Sequence, residues 1–300
     1  MRRAVSISLG SSKRNKAVEL TLLGETVRIE RIGTDGDMEK AAQMFKELDG
    51  KVDAFGVGGA DLGLMVEGKW YPLHSVSPMI RFVKHTPVAD GSGVKNTLES
   101  RVVPFMHKQI GEPAPKRVLL TLGADRWGMS RSFADNGYDC VFGDLMFGLD
   151  VPIPIRSVNA VKRVASIVMP IAGRLPFEWL YPTGEKQEKN TPKHGQWYAW
   201  AKAIAGDCHY IKRYMPARLD GKIICTNTTT PDDVEKFRAA GVSYLVTTTP
   251  VMDGRSFGTN MIEAALIAIS GKGRKLELGE LNELIDRAGF EPQWQKLNET

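Results

Sequence analysis

Cysteine is scarce in this chain: Cys140, Cys208 and Cys225 are the only three among 300 residues, and no two form a C-x-x-C pair. That argues against a disulfide framework and a thiolate zinc site, and leaves reduced, structural thiols as the expectation. Long apolar runs are missing as well. No stretch approaches the roughly 18 apolar residues a membrane span needs, and Met1-Arg2-Arg3 passes straight into the alternating Ala4 to Leu9, too short and too regular for a signal peptide. A cytoplasmic protein without membrane contact is expected. Lys and Arg outnumber Asp and Glu by 40 to 35, for a net charge of +5, but they are dispersed and form no basic block of the kind a nucleic-acid arm requires. The excess reads as a preference for anionic small ligands or as a solvated basic surface. The five histidines make no H-x-x-x-H or H-E-x-x-H set, so no metal site is expected. Neither a G-x-S-x-G elbow nor a P-loop is present, because Met129 and Ser130 follow Gly128 where the lysine and hydroxyl would stand.

What is present is α/β patterning. Hydrophobic residues make up 42% and charged residues 25%, which suits a packed core, and the length suits two domains. Ala4 to Leu9, Ala17 to Leu23 and Thr26 to Ile32 read as three strands between turn signals. Asp37 then caps a helix with Met38, Ala41, Ala42, Phe45 and Leu48 on one face and Gly50 beyond its end, followed by an apolar strand at 52–57. After a hairpin around Met65 to Tyr71 comes the polar loop Asp90 to Thr97 and a helical stretch ending near Gly111. Glu112-Pro113-Ala114-Pro115 breaks the pattern and serves as the linker between an N-terminal α/β substrate domain, 1–112, and a Rossmann-like nucleotide-binding domain with a mainly parallel sheet, 116–300. The second part offers strand 117–122, a glycine turn, a helix with Met129 and Phe133, and strand 138–142. Strand 222–226 follows, then a helix starting at Thr230-Pro231-Asp232-Asp233, strand 244–249 and helices near 259–269 and 278–288. The stretch 171–206 reads as irregular, either a flap over a site or a plain surface excursion.

The glycine turn carries the sharpest chemical signal. A helix opening at Gly123-Ala124-Asp125-Arg126-Trp127-Gly128 aims unpaired N–H groups and the positive end of its dipole at an anion, for which a phosphate is the natural guest. Asp144, 21 residues after Gly123 at the end of the next strand, is positioned by spacing to hold an adenosine ribose, favouring NAD, with NADP as the alternative through Arg126 or Arg131. In the first part Asp90, Lys95 and Asn96 share a glycine-rich loop, where a lysine of lowered pKa would shuttle a substrate proton. A solvated Lys beside turn and cap residues is the plainer reading. Ser11, Ser12, Lys13 and Arg14 follow the first strand and are candidates for holding a carboxylate or phosphate. The strand end Asn227, Thr228 and Thr229, and the Thr247 to Thr249 edge, are candidates for a ribose or nicotinamide amide. Cys208-His209 reads as an adjacent pair facing opposite ways in a strand.

On the segments Asp90 to Thr97, Gly123 to Gly128, Asp144 and Asn227 to Thr230, and on the order of its parts, the chain resembles the bacterial quinate and shikimate dehydrogenases. Neither that family's Asn-Val-Thr-x-Pro-x-Lys nor its Asn-Thr-Asp-x-x-Gly segment is intact here. The resemblance implies an NAD(P)-dependent oxidoreductase acting on a secondary alcohol of a small ring, carboxylated or not, with Lys95 and Asp90 facing the hydroxyl. Two readings from other classes stand beside it: a nucleotide-sugar or S-adenosylmethionine-dependent transferase using the same turn, and a non-catalytic two-lobed ligand-binding protein. A small molecule is the expected partner, and the oligomeric state, a homo-oligomer included, stays open.

Overall fold

The computed structural model describes residues 1–177, 190–252 and 255–299. Its strands are β1 (Arg2–Ser8), β2 (Lys16–Leu22), β3 (Glu25–Gly33), β4 (Ala54–Gly58), β5 (Gly63–Val66), β6 (Lys69–Pro72), β7 (Val88–Ala89), β8 (Arg117–Leu120), β9 (Asp139–Phe142), β10 (Ala203–Gly206), β11 (Ile223–Thr226), β12 (Tyr244–Thr247), β13 (Val251–Met252), β14 (Arg255–Ser256) and β15 (Gln293–Lys296). The helices are α1 (Met38–Leu48), α2 (Ser92–Thr97), α3 (Val102–Ile110), α4 (Trp127–Asp135), α5 (Val158–Ala172), α6 (Gly195–Trp200), α7 (Cys208–Tyr214), α8 (Pro231–Ala239), α9 (Thr259–Ser270) and α10 (Leu278–Arg287). No described helix is long and apolar enough to cross a membrane.

The protein is a mixed α/β structure with two main sheets, both dominated by parallel strands. The first has the order β2-β3-β1-β4-β7, with only the β2–β3 pair antiparallel. The second has the order β15-β12-β11-β10-β8-β9, with only β15 antiparallel. In each sheet alternate residues feed two separate cores, as period-two geometry requires when both faces are covered. From the first sheet, Ala4, Ile29 and Ala54 pack with Ile262 and Leu266 of α9, while Val5, Ile7 and Phe55 pack with Ala41 and Phe45 of α1. From the second, Val118, Leu120 and Cys225 pack with Met106 of α3 and Phe133 of α4, while Leu119, Ile204 and Ile224 pack with Ile211 of α7 and Phe237 of α8. This is a doubly wound layering, in which ligands gather where the chain leaves a central strand in opposite directions, beyond the carboxyl ends of the strands. In the second sheet that point lies between β8 and β10.

The helices do not respect a sequential division at residues 112 to 116. α9 is buried on nearly every side and packs on β1, β3 and β4, and α10 joins the same core through Leu281 and Ile285. The first sheet is therefore covered by the last part of the chain. A helix apolar all round cannot stand at a surface, so α9 is placed wherever two sides need filling. Cys208 and His209 open helix α7, whose N-cap Asp207 accepts the His209 N–H, which corrects the strand reading of that pair. The segment 171–206, read as irregular, contains strand β10 and helix α6, and its residues 178–189 lie outside the described residues.

Candidate functional site

Four strands lead into charged or amide side chains that meet at one place. Asp61 follows β4, Asp125 and Arg126 follow β8, Asp207 follows β10 and Asn227 follows β11. Helix α2 brings Lys95 into their midst, and the 3-10 turn Leu98–Arg101 adds Glu99. The approach of α2 to α4 depends on Gly128, where a Cβ would fall 2.2 Å from the Lys95 carbonyl oxygen. The start of α2 depends on Gly91 (φ +93°), where a Cβ would fall 2.3 Å from Thr259 Oγ1.

Lys95 Nζ donates to Asp61 Oδ1 and to Asp125 Oδ1, both at 2.8 Å. Arg126 donates to Glu99 Oε1 at 2.7 Å and to Asp207 Oδ2 at 2.8 Å, and its Nε lies 3.2 Å from Asp125 Oδ2. Asn227 Nδ2 donates to Asp207 Oδ2 at 3.0 Å, while its Oδ1 accepts the Cys208 N–H. Four carboxylates thus surround two cations. Glu99 is the deepest group, with its side chain 0% exposed; the Lys95 and Arg126 side chains are 6% and 5% exposed, against 20% for Asp61, 16% for Asp125 and 17% for Asp207.

Electrostatics divide the labour. Burial alone would favour a neutral Lys95, but the adjoining Asp125 and Asp61 carboxylates outweigh it and raise its pKa, so the ammonium stays charged. This corrects the expectation of a lysine of lowered pKa, because its two carboxylate partners reverse the effect of burial. Burial also lifts the carboxyl of Asp61, to about 7, with Asp125 and Asp90 adding repulsion and Lys95 opposing. For Asp125, burial is outweighed by Lys95 and Arg126, which pull it down to about 2. Two carboxyls sharing one ammonium titrate as a pair, with one proton retained toward neutrality. Glu99 is raised, chiefly by burial, against the pull of Arg126.

The remaining expected residues lie elsewhere or do other work. Asp90 accepts the N–H groups of Leu62 and Ser92 rather than facing Lys95, and Asn96 donates back to the Ser92 carbonyl within α2. Ser12 and Lys13 belong to a surface 3-10 turn. Its bonds run to Asp35, and Arg31 reaches back to the Ser11 carbonyl. Lys13 and Arg14 there are exposed. Thr228 and Thr229 are half-buried in the loop after β11, and the Thr249 hydroxyl donates to the Asn227 carbonyl. Asp144 departs most from expectation. Its two oxygens accept the N–H groups of Gly123 at 3.0 Å and Ala124 at 2.8 Å, so the carboxylate occupies the amide cradle expected to receive a phosphate. Arg126 is likewise paired with the carboxylates of Glu99, Asp125 and Asp207, although its buried Nε lacks a hydrogen-bond partner among the described residues. Asp61, Glu99 and Asp207 are absent from the residues singled out in the sequence. Among the described residues, no group of His, Cys, Asp and Glu is arranged to hold a metal.

The chain belongs to the family described as a domain of unknown function, DUF8754, which matches residues 93–297, more than half its length. A second family model, also a domain of unknown function, DUF8753, matches residues 3–90. No curated protein matches. Among solved structures, shikimate 5-dehydrogenase from Thermus thermophilus, in complex with NADP(H) and shikimate, is 12% identical, with 96% of this chain and 100% of that chain covered at a TM-score of 0.36. An NAD-dependent malic enzyme from Thermotoga maritima is 15% identical, covering 99% and 80% at 0.39. A Mycobacterium smegmatis protein in complex with β-D-fucofuranose is 9% identical, covering 99% and 92% at 0.32. Scores of this size decide neither substrate nor cofactor, and the dehydrogenase family suggested by the sequence is not established by them.

Proposed function

We propose that this protein is an enzyme that binds a small hydroxylated molecule between its two sheets and moves a proton at one hydroxyl. The observation that carries the reading is the buried Lys95 ammonium held at 2.8 Å by both Asp61 and Asp125. An ammonium has three hydrogens, and among the described residues two are committed, leaving one to hold a substrate oxygen. Asp61, lifted to about 7, is matched to general base work near neutral pH, where proton transfer by a positioned carboxylate contributes roughly 10²–10⁴-fold. In this proposal the substrate hydroxyl gives its proton to Asp61, and the charged Lys95 stabilises the alkoxide left behind. Asp125, low and ionised, keeps Lys95 charged throughout. The two sheets act as two lobes, the first covered by α9 and α10 from the end of the chain.

The sequence resemblance adds NAD or NADP as the redox partner of that alcohol, which would make the protein an oxidoreductase. The turn at Gly123 does not fit a pyrophosphate as it stands, because Asp144 already takes its two amides. A dinucleotide seated there would have to displace that carboxylate. Thermal-shift measurements with NAD(H), NADP(H), S-adenosylmethionine and a nucleotide sugar, on wild type and Asp144→Ala, separate the choices. Stabilisation by a nicotinamide nucleotide alone, stronger in Asp144→Ala, supports oxidoreduction. No shift in either protein rejects it.

A further inference from the structure

We propose that the outer face of helix α5, with the loop that precedes it, is a docking surface for a second protein, and that it receives an amphipathic helix whose apolar anchors are flanked on both sides by acidic residues. None of these residues belongs to the charge cluster around Lys95. The first observation is clustering. Nine large apolar side chains are exposed among the described residues, and five of them, Leu149, Val151, Ile153, Ile167 and Ile171, come from this one stretch. The inner face of α5 is filled by Val161 and Ala165, so the helix packs without Ile167 and Ile171, which stand 71% and 69% exposed. Large apolar side chains gathered on one surface mark an interaction site, since water contact costs them what burial would return. These side chains also form a recess: Leu149 from the loop, with Ile167, Val168, Ile171, Ala172 and Leu175, lines a groove of about 230 Å³.

The second observation is charge. Arg163, Ile167, Ile171 and Arg174 follow one another at spacings of four, four and three, so they share one stripe, with an arginine at each end. Both arginines are exposed, and neither makes an ion pair among the described residues: Arg174 donates to the Pro170 carbonyl, while the neighbouring Lys162 is paired with Glu67 at 3.3 Å. That stripe decides between occupants. A second copy of this chain brings the same stripe. About a two-fold axis between Ile167 and Ile171 the antiparallel arrangement sets Arg163 opposite Arg174, and the parallel one sets each arginine opposite itself, cation against cation either way. An anionic bilayer is opposed by Asp150, exposed between Leu149 and Val151, and its flat surface does not enter a groove. A helix of another protein meets both demands: large apolar side chains one turn apart seat in the groove, and Asp or Glu on either side pairs with Arg163 and Arg174. Asp150 asks no cation of it, because Lys193 Nζ already lies at 2.6 Å.

A randomised peptide library displayed on phage, selected on immobilised full-length protein with the Ile167→Glu/Ile171→Glu variant as soluble competitor, tests this. The enriched sequences are expected to carry two large apolar residues three or four positions apart with acids on both sides. One such peptide, synthesised and followed by fluorescence anisotropy, is expected to bind the wild type at least about tenfold more tightly than Ile171→Glu. Arg163→Glu/Arg174→Glu is expected to reverse the charge preference, binding a version of the peptide with lysine in place of each acid more tightly than the original. All the substituted side chains are exposed, so each variant is expected to keep the wild-type melting temperature within a few degrees. No enrichment, enriched sequences with basic or uncharged flanks, binding that survives Ile171→Glu, or a charge preference unaltered in Arg163→Glu/Arg174→Glu overturns the proposal. A dimer in sedimentation that dissociates in Ile171→Glu also overturns it and assigns the face to a second copy. Co-sedimentation with phosphatidylglycerol vesicles that is lost in Ile171→Glu overturns it in favour of a membrane.

Discussion

A lysine ammonium flanked by carboxylates at 2.8 Å on two sides is a poor base and a good clamp, which is why the proposed proton transfer is given to Asp61. On the proposed proton transfer, kcat/KM of the wild-type protein is expected to rise with pH and level off above an apparent pKa near 7, the value belonging to the Asp61–Asp125 pair, and Asp61→Asn is expected to lose roughly 10²–10⁴-fold and with it that inflection. A pH–rate profile of both proteins on one alcohol is the check. Gly128 makes a second prediction. Gly128→Ala would drive a methyl into the Lys95 carbonyl, which is backbone and cannot rotate away, so a loss of about 1–3 kcal/mol is expected from urea unfolding, with Lys95 displaced. Lys95, Asp125, Arg126 and Asn227 are visible in the sequence because each lies in or directly after a glycine- or threonine-rich segment with a recognisable role in phosphate or proton chemistry. Asp61, Glu99 and Asp207 are not, since each is a single acid whose partners lie tens of residues away. The one local hint is Gly58-Gly59-Ala60-Asp61, a glycine-rich turn directly after an apolar strand.

Among the elements, those with clean punctuation are legible. Helix α1 has its Asp37 cap and one apolar face, and α8 has a capping box in which the Thr230 hydroxyl accepts the Asp233 N–H and Asp233 accepts the Thr230 N–H. Thr230→Ala is accordingly expected to cost about 1 kcal/mol in chemical denaturation, leaving ligand binding untouched. Helix α5 is hidden for physical reasons: Pro170 lies inside it, and Ile167 and Ile171 are 71% and 69% exposed, so its pattern has apolar residues on the wrong face. Strand β10 is four small or aliphatic residues long, and β15 is exposed along its whole length, so neither carries alternation. Between elements, Glu263 of α9 accepts the Gly93 and Val94 N–H groups at the start of α2, tying the helix that bears Lys95 to the end of the chain. Its burial, with Asp90 nearby, raises its carboxyl to about 7, above the value it would have unfolded. The native state therefore binds that proton more tightly, and the stabilisation is full below about pH 4.5 and is lost as pH rises through about 7. Denaturation of Glu263→Gln from pH 5 to 8 should show a pH-dependent loss smaller than that of wild type by on the order of 3 kcal/mol.

For the whole molecule, the sequence pattern suggests two consecutive domains, and that division cannot describe the packing. The signals at 112 to 116 are real breaks in the chain, with a cis peptide between Ala114 and Pro115, but no local pattern announces that α9 and α10 return to the first sheet. Burial on all sides is the available clue, since ten of the twelve α9 residues are buried. The consequence is that residues 1–112 alone should fail to form a cooperatively folded unit, because the face made by Ala4, Ile29 and Ala54 would lie open to water. A fragment of 1–112 is expected to lack a sigmoidal melting transition, and co-expression with the remainder of the chain is expected to restore one. The same return path places Glu263 beside α2 and so sets the geometry of the central charge cluster.

The claim on which this account rests is that Asp61 holds a proton up to neutrality beside a lysine that stays charged. Carboxyl carbon NMR across pH 3 to 9, with Asp61 assigned by comparison with Asp61→Asn, measures it directly. The account predicts a midpoint near 7 for Asp61 with no deprotonation of Lys95 over the same range. A midpoint near the ordinary aspartate value of about 4 would contradict it.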